Sequence, residues 1–181
     1  QSPWQYAGVQ AVSSQLAIPN EVTDWVLLEV RDASGMAIIE QKAAWILKNG
    51  AIVDIYQPQS ESIRFHFLDN NQYYRLVVRH RNHLAVISDL VQVQNNEFAY
   101  DFTQNSSAQQ TWINGKWALA AGDMNADGVI SVADYNYYLL QAGIINQYNA
   151  ADCNLDKTVS VLDRNAYQPN AAKMGMPEIR Y

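Results

Sequence analysis

Asp123, Asn125, Asp127, Ser131 and Asp134 place oxygen-bearing side chains at positions 1, 3, 5, 9 and 12 of a twelve-residue stretch. Asp152, Asn154, Asp156, Ser160 and Asp163 repeat the set 29 residues later. Short carboxylates and amides at alternate positions let a backbone loop wrap closely around a hard cation, which takes six to eight oxygen ligands. Val129 and Thr158 add backbone carbonyls at position 7, so each loop offers oxygen ligands suited to calcium, and two ions are expected. Gly128 stands at position 6, where such a loop turns sharply with positive φ. Lys157 takes that place in the second loop at a cost of about 1 kcal/mol, which predicts a weaker second site. Ile130 and Val159, at position 8, are expected to point into a small core. Neither loop contains His, and Cys153 alone does not make a soft site, so zinc is not expected.

The spacing is that of an EF-hand loop, with Asp instead of a bidentate Glu at position 12 and no helix apparent before either loop. A loop-then-helix unit occurring twice resembles the dockerin type I module. That family's pattern, Gly-Asp-x-Asn-x-Asp-Gly-x-Ile-x-x-x-Asp, reads here from Gly122-Asp123 through Asn125, Asp127-Gly128 and Ile130 to Asp134. The resemblance covers residues 118 to 175. It implies a small α-helical calcium-binding module over 118–181. In that family partner recognition commonly involves loop positions 10 and 11 and the following helix face, often with small hydroxyl residues. Here those positions are Val132-Ala133 and Val161-Leu162, whose apolar character suggests a surface packed against a neighbouring domain or another copy of the chain.

These loops need a framework, and residues 1–104 carry the pattern of one. Trp25 to Asp32 alternates, with Val26, Leu28 and Val30 on one face and Glu29 and Arg31 on the other, as in a half-buried strand. Met36 to Leu47 is rich in apolar and β-branched residues, and Asn49-Gly50 joins it to Ala51–Tyr56 as a type I′ hairpin signal. Ile63–Phe67 alternates next. Tyr73–Arg81 then sets Tyr74, Leu76, Val78 and His80 against Arg75, Val77, Arg79 and Arg81. His83–Ser88, Leu90–Val93 and Phe98–Phe102 complete seven to nine short strands. That rhythm predicts a mainly β chain, with an antiparallel, Ig-like β-sandwich over 1–104.

Residues 1–17 alternate imperfectly around Gly8. They are expected to pair at an edge of their own domain or to be donated to the next subunit, which would build a filament by head-to-tail repetition. Residues 105–117 read as a linker and packing segment, and the apolar Trp112, Trp117, Leu119 and Ala120 predict a packed junction instead of a flexible tether. The runs Asp24–Asp32, Leu47–Asp54 and Tyr73–Leu84 resemble the β-sandwich that precedes dockerin-like calcium repeats at the C-terminal end of large secreted or surface proteins in bacteria. That likeness implies location and architecture, with no catalytic role.

A net charge of −6 argues against nucleic acid as a partner, because phosphate binding is driven by clustered Lys and Arg. No stretch reaches the 18 or more apolar residues of a membrane span. The chain opens on Gln1 without a basic and apolar leader, which fits a processed chain or an excised module. Millimolar calcium outside cells suits carboxylate loops of low affinity, so a secreted, extracellular or cell-surface setting is expected. Cys153 reads as a small packed or exposed side chain, with a cross-link between chains as the alternative.

His80 and His83 fall on opposite faces if they share a strand, and they read as structural. Arg75, Arg79 and Arg81 read as a solvated stripe, with contact to an acidic glycan or neighbouring subunit as the sharper alternative. Aromatics such as Trp25, Trp45 and Tyr56 suit core packing or a carbohydrate platform. The sequence offers no Ser-His-Asp context, Gly-rich phosphate loop or Cys-His pairing. The expected function is non-catalytic: a calcium-stabilised structural or assembly protein whose partners are copies of itself or a surface protein scaffold. A docking or carbohydrate-binding module is the alternative, with a glycan as partner.

Overall fold

The computed structural model describes residues 18–60 and 62–179. The edge or donated strand expected at 1–17 lies outside them. The strands are β1 (Val22–Arg31), β2 (Ile38–Leu47), β3 (Ile52–Asp54), β4 (Tyr73–His80), β5 (His83–Ile87), β6 (Val91–Gln92), β7 (Gln110–Ile113) and β8 (Lys116–Leu119). Helices α1 (Val132–Gln141) and α2 (Val161–Tyr167) follow. The chain is therefore mainly antiparallel β. One six-stranded sheet has the order β3-β2-β1-β4-β5, with β6 paired to β4, and β7-β8 form a separate ribbon. The described residues divide into two compact units, 18–78 with 87–100, and 79–86 with 101–179.

In the first unit β1 is buried on both faces from Asp24 to Arg31, which corrects the half-buried reading. Glu29 and Arg31 do alternate with the apolar residues, but they meet as an ion pair at 2.7 Å beneath the surface. Gln41 Nε2 donates to the second Glu29 oxygen at 2.9 Å, and Arg31 Nη1 donates to the Gly35 carbonyl at 2.9 Å. Paired and hydrogen-bonded, the two charges are tolerated where either alone would be costly. Antiparallel pairing sets Trp25 opposite Trp45 and Val26 opposite Ala44.

The β2–β3 turn also departs from expectation. Leu47 pairs with Ala51 around three residues, Lys48 to Gly50, and Gly50 N donates back to Leu47 O at 2.9 Å. Gly50 has a φ of 88° while Asn49 keeps a negative one, so the loop is a three-residue turn ending in a left-handed glycine, not a type I′ turn. Asn49 Oδ1 accepts from Ala51 N at 2.9 Å and makes the wider loop self-sufficient.

Ile63–Phe67 and Phe98–Phe102 alternate in sequence but form no ladder. The first of these segments is held by side chains instead: Glu40 Oε2 accepts from His66 N and Phe67 N, at 2.6 and 3.2 Å, and Lys42 Nζ donates to Arg64 O. Phe65, Leu68 and Phe98 still pack against the buried Val30, Tyr74 and Val93. The alternating pattern thus reports burial there, not strand pairing.

In the second unit a hairpin occupies much of the segment read as linker. Ile113 pairs with Lys116 around Asn114-Gly115, whose φ values of 49° and 83° make a type I′ turn, the kind expected at Asn49-Gly50. The chain then enters two loop–helix units whose capping, turn and cross-loop backbone bonds repeat one another. Ile130 N donates to Lys173 O and Ala172 N to Ile130 O; correspondingly, Val159 N donates to Ile144 O and Gly143 N to Val159 O. Each loop therefore pairs with the segment that leaves the other unit's helix. Val159 is buried with Met124, Tyr138 and Cys153, and Ile130 with Leu84 and Ala120, so position 8 points into the core as expected.

Candidate metal centre

Asp123 is positioned from the sheet. Leu84 N donates to Ala120 O and Gly122 N to Asn82 O, each at 2.9 Å, so the chain leaving β8 runs along β5 before the first loop begins. Gly122 has a φ of 124°, and a Cβ there would lie 2.9 Å from Tyr167 Cδ2 and 3.1 Å from Ile130 Cγ2. Only glycine fits this approach, and it delivers Asp123 into the interior, 5 % exposed.

Within each loop, positions 4 and 6 take positive φ: Ala126 58° and Gly128 79°, Leu155 63° and Lys157 71°. The strained backbone expected at Lys157 is present. Asn125 Oδ1 accepts from Asp127 N and Asp127 Oδ1 from Val129 N, at 3.1 and 2.8 Å. Asn154 and Asp156 repeat this with the amides of Asp156 and Thr158, again at 3.1 and 2.8 Å. Positions 3 and 5 thus shape the turn through side-chain acceptors.

Positions 9 and 12 build the helix starts. Ser131 Oγ accepts from Ala133 N at 3.1 Å while Asp134 Oδ2 accepts from Ser131 N at 2.8 Å, a reciprocal capping box, and Ser160 and Asp163 do the same for α2. The other oxygen of Asp134 accepts from Met124 N and Asn125 N, and that of Asp163 from Cys153 N and Asn154 N, so each loop's end closes on its beginning. The Ser-x-x-Asp spacing carries this capping signal in the sequence, where it coincides with the ligand pattern.

Position 1 differs. Asp123 Oδ2 accepts from Gly128 N at 3.1 Å, but Oδ1 is buried with no hydrogen-bond partner. Burial, then the charges of Asp134 and Asp127, push the Asp123 carboxyl up to about 7 against the opposing N–H groups of Gly128 and Asp127. Burial likewise raises Asp134 and Asp152 from their ordinary value, against the backbone N–H groups that face them. In the first loop the charges of Asp134 and Asp127 thus act on a buried Asp123 whose own charge is poorly compensated. Oxygen-only donors of this kind suit a hard cation, and the unpartnered oxygen gives such an ion a ligand already aimed inward. Among the described residues no three His, Cys, Asp or Glu side chains gather into a metal cage by themselves. The amides of Asn125 and Asn154, the hydroxyls of Ser131 and Ser160 and the carbonyls of Val129 and Thr158 enter the candidate set through the sequence spacing alone.

Two readings of neighbouring residues change, and that of Cys153 narrows to its packed alternative. Arg79 and Arg81 are buried, not a solvated stripe. His80 ends β4 and His83 begins β5, so the two face each other across a two-residue turn, with their Nδ1 atoms 2.9 Å apart. The opposite-face argument requires one continuous strand, which the turn interrupts. Cys153 is buried, and burial raises its thiol far above the ordinary value, which removes it as an accessible cross-link. Val132, Ala133, Val161 and Leu162, at loop positions 10 and 11, are exposed within their own unit. Among the described residues no helix is long and apolar enough to cross a membrane. No family model, curated protein or solved structure matches the chain.

Proposed function

We propose that this chain is a non-catalytic, secreted or cell-surface structural or assembly protein whose second unit is stabilised by two calcium ions. One observation carries the reading. Backbone capping and turn formation account for the carboxylates at positions 5 and 12, but nothing in the fold accounts for the buried, unpartnered Asp123 Oδ1. A buried acceptor without a partner costs about 1–3 kcal/mol, more when charged, and a bound cation would convert that cost into a ligand bond. Calcium would be held in the first loop by Asp123, Asn125, Asp127, Val129, Ser131 and Asp134. Asp152, Asn154, Asp156, Thr158, Ser160 and Asp163 would hold it in the second.

The finer architecture belongs to the same proposal. The β-rich part is read as an Ig-like sandwich, which burial of both faces of β1 supports. The repeated loop–helix units are read as a dockerin-like module, which their matching hydrogen bonds support. Such a module has little core of its own, so an ion that binds only the folded state contributes much of its stability. A docking function is the second reading, and the exposed apolar Val132, Val161 and Leu162 favour it.

Sedimentation of the purified chain with and without calcium tests the assembly role. Calcium-dependent self-association supports it. A calcium-loaded monomer that binds a surface scaffold or a glycan would replace it with the docking or carbohydrate reading.

A further inference from the structure

The two loops are matched in their backbone and differ in what faces position 1. In the first loop Asp123 Oδ1 has no hydrogen-bond partner. In the second, Asp152 Oδ1 accepts from Asp156 N at 3.1 Å, Oδ2 accepts from Lys157 N at 3.0 Å, and Arg81 Nη2 stands 3.9 Å from Oδ2. Arg81 is 2 % exposed, so its charge acts with little screening by solvent.

That guanidinium is fixed in place. Arg81 Nη1 donates to Asn149 O, and its planar group lies 4.2 Å from the centre of the Tyr148 ring. Next to it, Asn82 Nδ2 donates to Ala150 O and Asp152 O, at 2.8 and 2.7 Å. The β4–β5 turn thus grips residues 148–152, the entry to the second loop, and sets a permanent cation beside its first carboxylate.

We propose that Arg81 is a tethered countercharge for the second loop: it neutralises part of Asp152, so this loop keeps its shape without calcium and binds the ion less tightly than the first. The inference rests on the calcium reading above. It assigns the two sites different tasks. The first loop responds to calcium, and the second serves as a preformed anchor. Burial remains the leading influence on Asp152, with Lys157 N and then Arg81 acting against it.

Full-length chain carrying Asp123→Ala reports on the second loop alone. In that background, calorimetric titration should show that Arg81→Met tightens calcium binding by about tenfold, the size of effect a guanidinium within reach of a carboxylate exerts on a competing cation. Arg81→Lys keeps the charge and should stay within about threefold of the parent. In chelator, hydrogen exchange at Cys153 and Lys157 should accelerate in Arg81→Met while Met124 and Gly128 are unchanged. Should Arg81→Met not fold, Arg81→Gln retains a donor for Asn149 O without the charge and is expected to tighten binding likewise. Second-site affinity that is unmoved or weakened on loss of the charge overturns the proposal. A parent chain that binds no calcium overturns the calcium reading itself, so the two failures are distinct.

Discussion

Replacing Asp123 by Asn removes the charge from the buried oxygen and keeps the side-chain shape. Asp123 sits near 7 when folded against an ordinary 3.8. Between those values the native state binds more protons than the unfolded state, so in the absence of calcium the Asp123 contribution falls as pH rises from about 4 to about 7. The gap corresponds to roughly 4 kcal/mol at its full extent. The substituted amide would leave an N–H group where the carboxylate oxygen stood, at a cost of about 1–3 kcal/mol. The Asp123→Asn chain should therefore be more stable than the parent by about 1–3 kcal/mol at pH 8 in chelator, and no more stable at pH 4. In excess calcium the order reverses, because the parent gains about 2.7 kcal/mol at a calcium concentration of about 100 times its dissociation constant and the variant loses a ligand. Urea unfolding at pH 4, 6 and 8, each with chelator and with calcium, measures all of this. A parent–variant difference in chelator that is independent of pH would refute the assignment of a poorly compensated charge to Asp123.

Three further substitutions probe the framework. Lys157→Gly relieves the left-handed backbone at φ 71° and should raise stability in chelator by about 1 kcal/mol by urea unfolding; a loss would show that the side chain contributes more than its backbone costs. Gly122→Ala introduces a Cβ 2.9 Å from Tyr167 and should destabilise by about 1–3 kcal/mol, read as a lowered midpoint in thermal unfolding, whereas Gly115→Ala has open space around it and carries only the cost of its positive φ. Arg31→Met leaves Glu29 charged beneath the sheet and should cost about 3–5 kcal/mol, most of it recovered when Glu29→Met is added; an equally unstable double variant would count against the ion-pair account.

The local chemistry of the loops is legible in the sequence because ligand spacing, turn geometry and helix capping all draw on the same short polar residues. That economy also hides something. Ser131 and Asp134 look like calcium ligands in the sequence, yet the fold uses them as a capping box, and only the buried, unpartnered oxygen of Asp123 sets position 1 apart from these self-satisfied ones. Strand patterning is readable where both neighbours pair, as in β1 and β4. It misleads at Ile63–Phe67, where Glu40 and Lys42 hold the backbone and alternation reflects packing alone. Two Asn-Gly pairs carry the same hairpin signal, but flanking pairing decides the turn, three residues at Gly50 and two at Gly115. Arg81, His80 and His83 depart from expectation at one place, while Arg79 within β4 donates to the Ile179 carbonyl. A turn at Arg81-Asn82 folds what looks like one strand and its successor into a hairpin whose tip is buried.

Calcium stoichiometry tests the central claim most directly. Calorimetric titration of the chelator-treated full chain should reveal two sites, with Asp123→Ala and Asp152→Ala each eliminating one and the loop bearing Lys157, beside Arg81, the weaker. A chain that takes up no calcium at millimolar concentration, or keeps both sites when Asp123 and Asp152 are replaced together, would contradict it.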